Sequence, residues 1–109
     1  MLSRVADASA RTYTDADEPA TLPDIRQAED YYGVVVPSLR RFEYVRMDLH
    51  LEPEDLMQLR RLRKGFEVWA LVPLELVGRA HAVLRGRVDQ LQPWWVEGDA
   101  VRFGAPRVP

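Results

Sequence analysis

The residue types that support catalysis are few in this chain, and their spacing does not join them. His50 and His81 are the only histidines among 109 residues. A metal site needs several donors converging, and neither an HExxH nor an HxH spacing occurs. Asp48 and His50 stand two apart, so on an extended strand they share one face and could act as two ligands or as an acid and base pair. A solvated strand face accounts for the same pair through the ordinary exposure of such residues. Nucleophiles fare no better. Ser3 and Ser9 fall in the first ten residues, Ser38 follows Pro37, and none sits in a GxSxG elbow. Cysteine is absent, which removes thiolate chemistry, cysteine metal sites and disulfides together.

Lys64, the single lysine, lies at a basic helix end. There the helix dipole stabilises its charge, the opposite of the lowered pKa that a Schiff-base lysine needs. Glu52, Glu54 and Asp55 cluster at a helix start, where carboxylates complement the positive end of the dipole. Phosphate cradles of the GxGxxG and GxxxxGK[ST] kinds do not occur. The expectation is a protein that is not an enzyme and uses no cofactor and no metal.

Binding chemistry is better represented. Arg60, Arg61, Arg63 and Lys64 crowd one helix end, and Arg79, Arg85 and Arg87 follow some twenty residues later. With Trp94 and Trp95 nearby they would imitate a single-strand-binding face, in which cations follow phosphates and rings stack on bases. Against that stands the net charge of −2, since dedicated nucleic-acid binders are usually basic. Adjacent Trp94 and Trp95 on a strand point to opposite sides, so one of them needs a cover other than the core. Tyr31, Tyr32, Phe42, Tyr44, Trp69 and Phe103 add further large rings, and Tyr, Trp and Arg are the types that dominate interface anchors. The leading expectation is therefore a protein-interaction or assembly subunit, self-associating or part of a larger particle. Tyr31, Tyr32, Arg60, Arg61, Arg63, Arg85, Arg87, Trp94 and Trp95 are its contact residues. A nucleic-acid-binding module using the Arg and Trp residues is the alternative, and a small enzyme built on Asp48 and His50 a distant one.

Composition bounds the scaffold. With 47% hydrophobic and 29% charged residues the chain has the make-up of one globular domain. Fourteen of its fifteen basic residues are Arg. Residues 1–33 hold three Arg against seven acids, so the front is acidic and the remainder mildly basic. The first ten residues contain Asp7 and no long apolar stretch, which predicts no signal peptide. The longest uncharged apolar run, Val68–Leu74, is far below the roughly 20 residues needed to cross a bilayer, so no membrane partner is expected. A cytoplasmic protein is the expectation.

These residues must be positioned by a small set of elements. Residues 1–22, with the acidic run Asp15, Asp17 and Glu18, read as an extended arm. Pro23 to Tyr32 reads as a short helix ended by Gly33. Phe42 to Glu52 alternates, with Val45, Met47, Leu49 and Leu51 on one face, as a half-buried strand does, and a helix is the rival there. Pro53 to Lys64 is the clearest helix: Pro first, acids early, bases late, Gly65 after. Phe66 to Val72 is apolar on both faces, an interior strand, and strand, helix, strand suits a parallel crossover. Pro73 to Gly86 fits a helix and a strand equally. Trp94–Glu97 and Ala100–Phe103 flank Gly98-Asp99 as a hairpin. Together these predict one α+β domain over residues 23–103, a small mixed sheet packed with one or two helices. Extended tails are expected at both ends, the second over 104–109.

Overall fold

A computed structural model describes residues 2–14, 24–27 and 31–109. The fold is α+β, a mixed sheet with helices on both faces. In chain order the elements are α1 (Leu2–Thr14), β1 (Asp24–Gln27), β2 (Tyr32–Val36), β3 (Arg41–Val45), α2 (Pro53–Leu62), β4 (Glu67–Pro73), α3 (Val77–Val83), β5 (Gln90–Glu97) and β6 (Ala100–Phe103). The strands lie side by side in sequence order. β1, β2 and β3 form an antiparallel meander, β3, β4 and β5 are parallel, and β6 returns antiparallel to β5. The two parallel pairings require crossovers, which α2 and α3 supply.

The alternation of β-strand side chains divides the core in two. On one face Val35, Phe42, Tyr44, Val68, Ala70, Val72 and Leu91 meet Leu59 of α2 and Ala80 of α3. On the other, Val34, Val36, Val45, Leu71 and Trp94 meet Val5, Ala6 and Ala10 of α1. Central β4 feeds both layers, as its run of apolar residues on both faces predicts. No helix among the described residues is long and apolar enough to cross a membrane.

Several expectations are corrected. The first part of the presumed arm is α1, whose Val5 and Ala6 are fully buried. The remainder of that segment, 15–22, lies outside the described residues. The apolar residues of α1 recur at helical spacing, and the small size of Ala6 and Ala10 lets that helix lie close on the sheet. The helix expected at 23–32 is instead β1 and the start of β2. Gly33 does not cap a helix there. It sits within β2, opposite Tyr44 in the ladder, where an added Cβ would overlap Phe42 Cζ and come within 3.0 Å of Cε2. Pairing with β2, from Asp24 opposite Val35 to Gln27 opposite Tyr32, prevails over local helical signals.

The strand expected to run to Glu52 ends at Val45. One further bond is made, Arg46 N–H donating to the Leu71 carbonyl at 3.0 Å, and then the chain turns away. The segment 73–86 is helical, a 3-10 turn over Leu74–Leu76 leading into α3, and Gly86 at φ +73° closes the loop that follows. α2 is as expected: Pro53 opens it, the Glu52 N–H donates to Asp55 at 2.9 Å, and Leu59 is its buried anchor. The hairpin turns on Gly98 at φ +61°, the first of two loop residues, a position that favours glycine. Beyond it the tail lies extended along β5. Arg107 and Leu91 exchange two backbone bonds, of 2.7 and 2.9 Å, after a one-residue slip in register past Gly104.

Candidate interaction groove

The C-terminal half of α2 and the loop after α3 meet at the amino-terminal edge of the parallel strands. Between them lies a groove of about 410 Å³. Leu56, Met57 and Leu59 form its apolar wall, and Arg60, Arg63 and Arg87 its basic one, with Gly86 between. Met57 is 54% exposed, a large apolar side chain left in water.

The three arginines differ in their bonding. Arg63 donates from Nη1 to the Gly86 carbonyl at 2.6 Å and from Nη2 to Asp89 Oδ1 at 3.0 Å, while Asp89 Oδ2 accepts the Val68 N–H at 2.8 Å. That chain of bonds ties α2 to the loop and to the start of β4, so Arg63 shapes the groove. Arg60 and Arg87 are exposed, and among the described residues neither side chain has a hydrogen-bond or ion-pair partner. Their guanidinium forks are available to an anion. Arg61, Lys64 and Arg85 are exposed at the same end, outside the groove, and Arg61 borders a shallower recess with Gln58 and Phe66.

The structure does not assemble the Arg and Trp face. Trp94 is buried beneath α1 on the opposite side of the sheet. Trp95 points to the groove's side of the sheet, as the alternation requires. It stands five residues beyond Gln90, about 17 Å along the strand from the loop that carries Arg85 and Arg87. Tyr31 and Tyr32 act as packing rings. Tyr31 lies 4.4 Å from the Tyr44 ring and its hydroxyl accepts from Gln58 Nε2 at 2.6 Å, while Tyr32 packs against the α1 layer.

The Asp48 carboxylate is engaged in structure, and His50 joins the same network through its backbone. Arg46, only 3% exposed, donates to Tyr44 Oη at 2.9 Å, Asp48 Oδ1 at 3.0 Å and the His50 carbonyl at 3.1 Å, and approaches Asp55 at 3.6 Å. The bond from Arg46 holds the Asp48 carboxyl below its ordinary pKa. Asp48 also accepts the His50 N–H, a turn of the kind Asp favours. A carboxylate so engaged is a poor base.

Sequence reasoning missed one polar cluster altogether. Glu43, in the middle of β3, is 1% exposed, and its carboxyl is bonded by the Ser9 and Tyr13 hydroxyls of α1. Burial pushes its pKa up, against the pull of those hydroxyls and of Arg41. Tyr13 is pushed up to about 12, by burial first and by Glu43 next. The signal was present: in the alternation from Phe42 to Glu52, Glu43 falls in phase with Val45, on the apolar side.

No family model, no curated protein and no solved structure matches this chain.

Proposed function

We propose that the chain is a non-enzymatic interaction subunit that self-associates, the groove of Arg60, Arg63 and Arg87 receiving an acidic segment of a second copy. The observation that carries this reading is the joining of two guanidinium groups, those of Arg60 and Arg87, unpartnered among the described residues, to the exposed Met57 side chain in one groove. Arg with Met at a partly dry centre is the composition that interface cores enrich. The occupant is supported by charge: Asp15, Asp17 and Glu18 fall within four residues. A cytoplasmic setting fits a chain without cysteine.

A second reading, nucleic-acid binding, is favoured by the gathering of Arg60, Arg61, Arg63, Lys64, Arg85 and Arg87 at one end of the fold. It is disfavoured by the absence of any aromatic ring from the groove lining.

Mass in solution by light scattering, at low and moderate salt, tests the proposal. The expected result is a multiple of 12.6 kDa that falls to 12.6 kDa as salt rises, and also in R60E/R87E and in D15N/D17N/E18Q. A wild-type mass of 12.6 kDa at every concentration and salt overturns self-association. If that monomer binds single-stranded oligonucleotides with a steep salt dependence lost in R60E/R87E, the second reading takes its place.

A further inference from the structure

A second recess, of about 350 Å³, opens on the other face of the sheet, between α1 and the strands. Three features set it apart from a packing defect. First, Glu43 forms part of its wall. A carboxyl buried at the centre of a sheet is costly, and such residues are rarely found fully buried without a partner. Among the described residues its hydrogen-bond donors are Ser9 and Tyr13.

Second, Arg41 stands two residues before Glu43 on the same face, about 7 Å along the strand. Its guanidinium lies 4.0 Å over the Trp69 ring, and Nη1 donates to Tyr13 Oη at 3.1 Å. The other edge of the fork is poorly used. Among the described residues Nη2 has only Glu67 at 3.8 Å, and Nε–H is buried without an acceptor. Third, half of the remaining wall is aromatic, Trp69, Tyr13 and Phe103, and the other half is Ser9, Thr12 and Gln92.

We propose that this recess binds a small organic carboxylate, its oxygens on the Nε and Nη2 edge of Arg41 and its carbon body against Trp69 and Phe103. A planar carboxylate matches that edge with two parallel bonds, which supply the acceptor that Nε lacks. The ligand takes over the long contact with Arg41 now made by Glu67, whose half-exposed carboxylate keeps its bond from the Trp69 indole N–H. With Glu43 favoured neutral by burial, the one guanidinium offsets a single negative charge, which suits a monoanion with an apolar body. A phosphate dianion would be under-compensated, and a cation would face Arg41.

Glu43 makes the affinity depend on pH. The groups facing it are Ser9 and Tyr13 from α1, Arg41 on its own strand, Trp69 with Glu67 beyond it on β4, and Gln92 on β5. Tyr13, at about 12, stays neutral. Burial favours the neutral carboxyl of Glu43, which leaves the charge of Arg41 to the ligand. When Glu43 ionises it competes for Arg41 and repels the carboxylate, so affinity falls as pH rises through its pKa. Binding correspondingly takes up a proton.

The test is calorimetric titration of the full chain with benzoate, its neutral analogue benzamide and inorganic phosphate, across a pH series and in buffers of different ionisation enthalpy. Benzoate is expected to bind at least tenfold tighter than benzamide or phosphate. Its affinity should drop by up to about tenfold per pH unit above the pKa of Glu43, the limit for one linked proton. E43Q should retain binding and lose the pH dependence. R41M should weaken benzoate at least tenfold. E67Q, a change at the exposed rim that leaves the core intact, should tighten it. Equal affinity for benzoate and benzamide, preference for phosphate, or an E67Q variant that binds benzoate no better than wild type overturns the proposal.

Discussion

Replacing Arg46 by Met keeps the aliphatic stem and removes the guanidinium, so the loss measures the polar knot at the end of β3. Three groups determine its size. Asp48 is 53% exposed and rehydrates at little cost, so its own contribution stays within about 1 kcal/mol. Asp55 is 15% exposed and Tyr44 is buried, so both lose a partner that water replaces only in part. Breaking a buried pair by removing one partner costs about 3–5 kcal/mol, and the rehydration of Asp48 places this case near about 3. A chain of this length has about 5–16 kcal/mol in total, so the variant should fold but with a clear deficit.

Urea unfolding followed by tryptophan fluorescence reads this directly. With a slope of about 1.5 kcal/mol per molar, the midpoint should fall by about 2 M in R46M. D48N should fall by about 0.7 M or less. If R46M lost under about 1 kcal/mol, or if D48N were as damaging, Arg46 would be a solvated side chain of the strand's polar face. Asp48 and His50 would then be free for chemistry after all.

Two further outcomes test the core. G33A forces a methyl into the Phe42 ring, which is buried and cannot yield, so stability should drop by about 1–3 kcal/mol. Part of that loss should return in G33A/F42L, a non-additive pair in chemical denaturation. Removing residues 1–21 uncovers Val34, Val36, Val45, Leu71 and Trp94, and calorimetry should find no cooperative melting transition in that fragment. A sharp transition would make α1 an appendage rather than a layer of the core.

The elements legible in the sequence are those specified within a few residues. α2 is bounded by Pro53 and Gly65 with charges ordered along its dipole, and the hairpin needs only Gly98-Asp99 between two apolar runs. β1 is different in kind. All of its pairing partner β2 but Tyr32 lies beyond the segment, so the helix expected from Pro23 to Tyr32 rested on local signals that a strand neighbour overrides. α1 failed for another reason. Leu2, Val5, Ala6, Ser9, Ala10 and Tyr13 form a helical stripe, but its small and polar members resemble a solvated surface until the sheet is laid beneath them.

The candidate sites show the same division at the level of charge. Residue type located the arginines correctly, yet type cannot separate an arginine that builds the fold from one left to a partner. Arg46 and Arg63 each have a carboxylate at 3.0 Å, Arg46 from Asp48 in the turn after β3 and Arg63 from Asp89, 26 residues on, and both are consumed in building the fold. Arg60 and Arg87 border the same groove as Arg63 and lack any such partner. The difference lies in Asp89, which follows the α3 loop by two residues and comes within reach of α2 only because β4 and β5 pair in parallel. A count of basic residues therefore overstates a binding surface by the number that the topology neutralises. Glu43 is the converse: one acid on the apolar phase of a strand, negligible in any sum of charges, becomes with α1 folded over it the group that sets the chemistry of a whole recess.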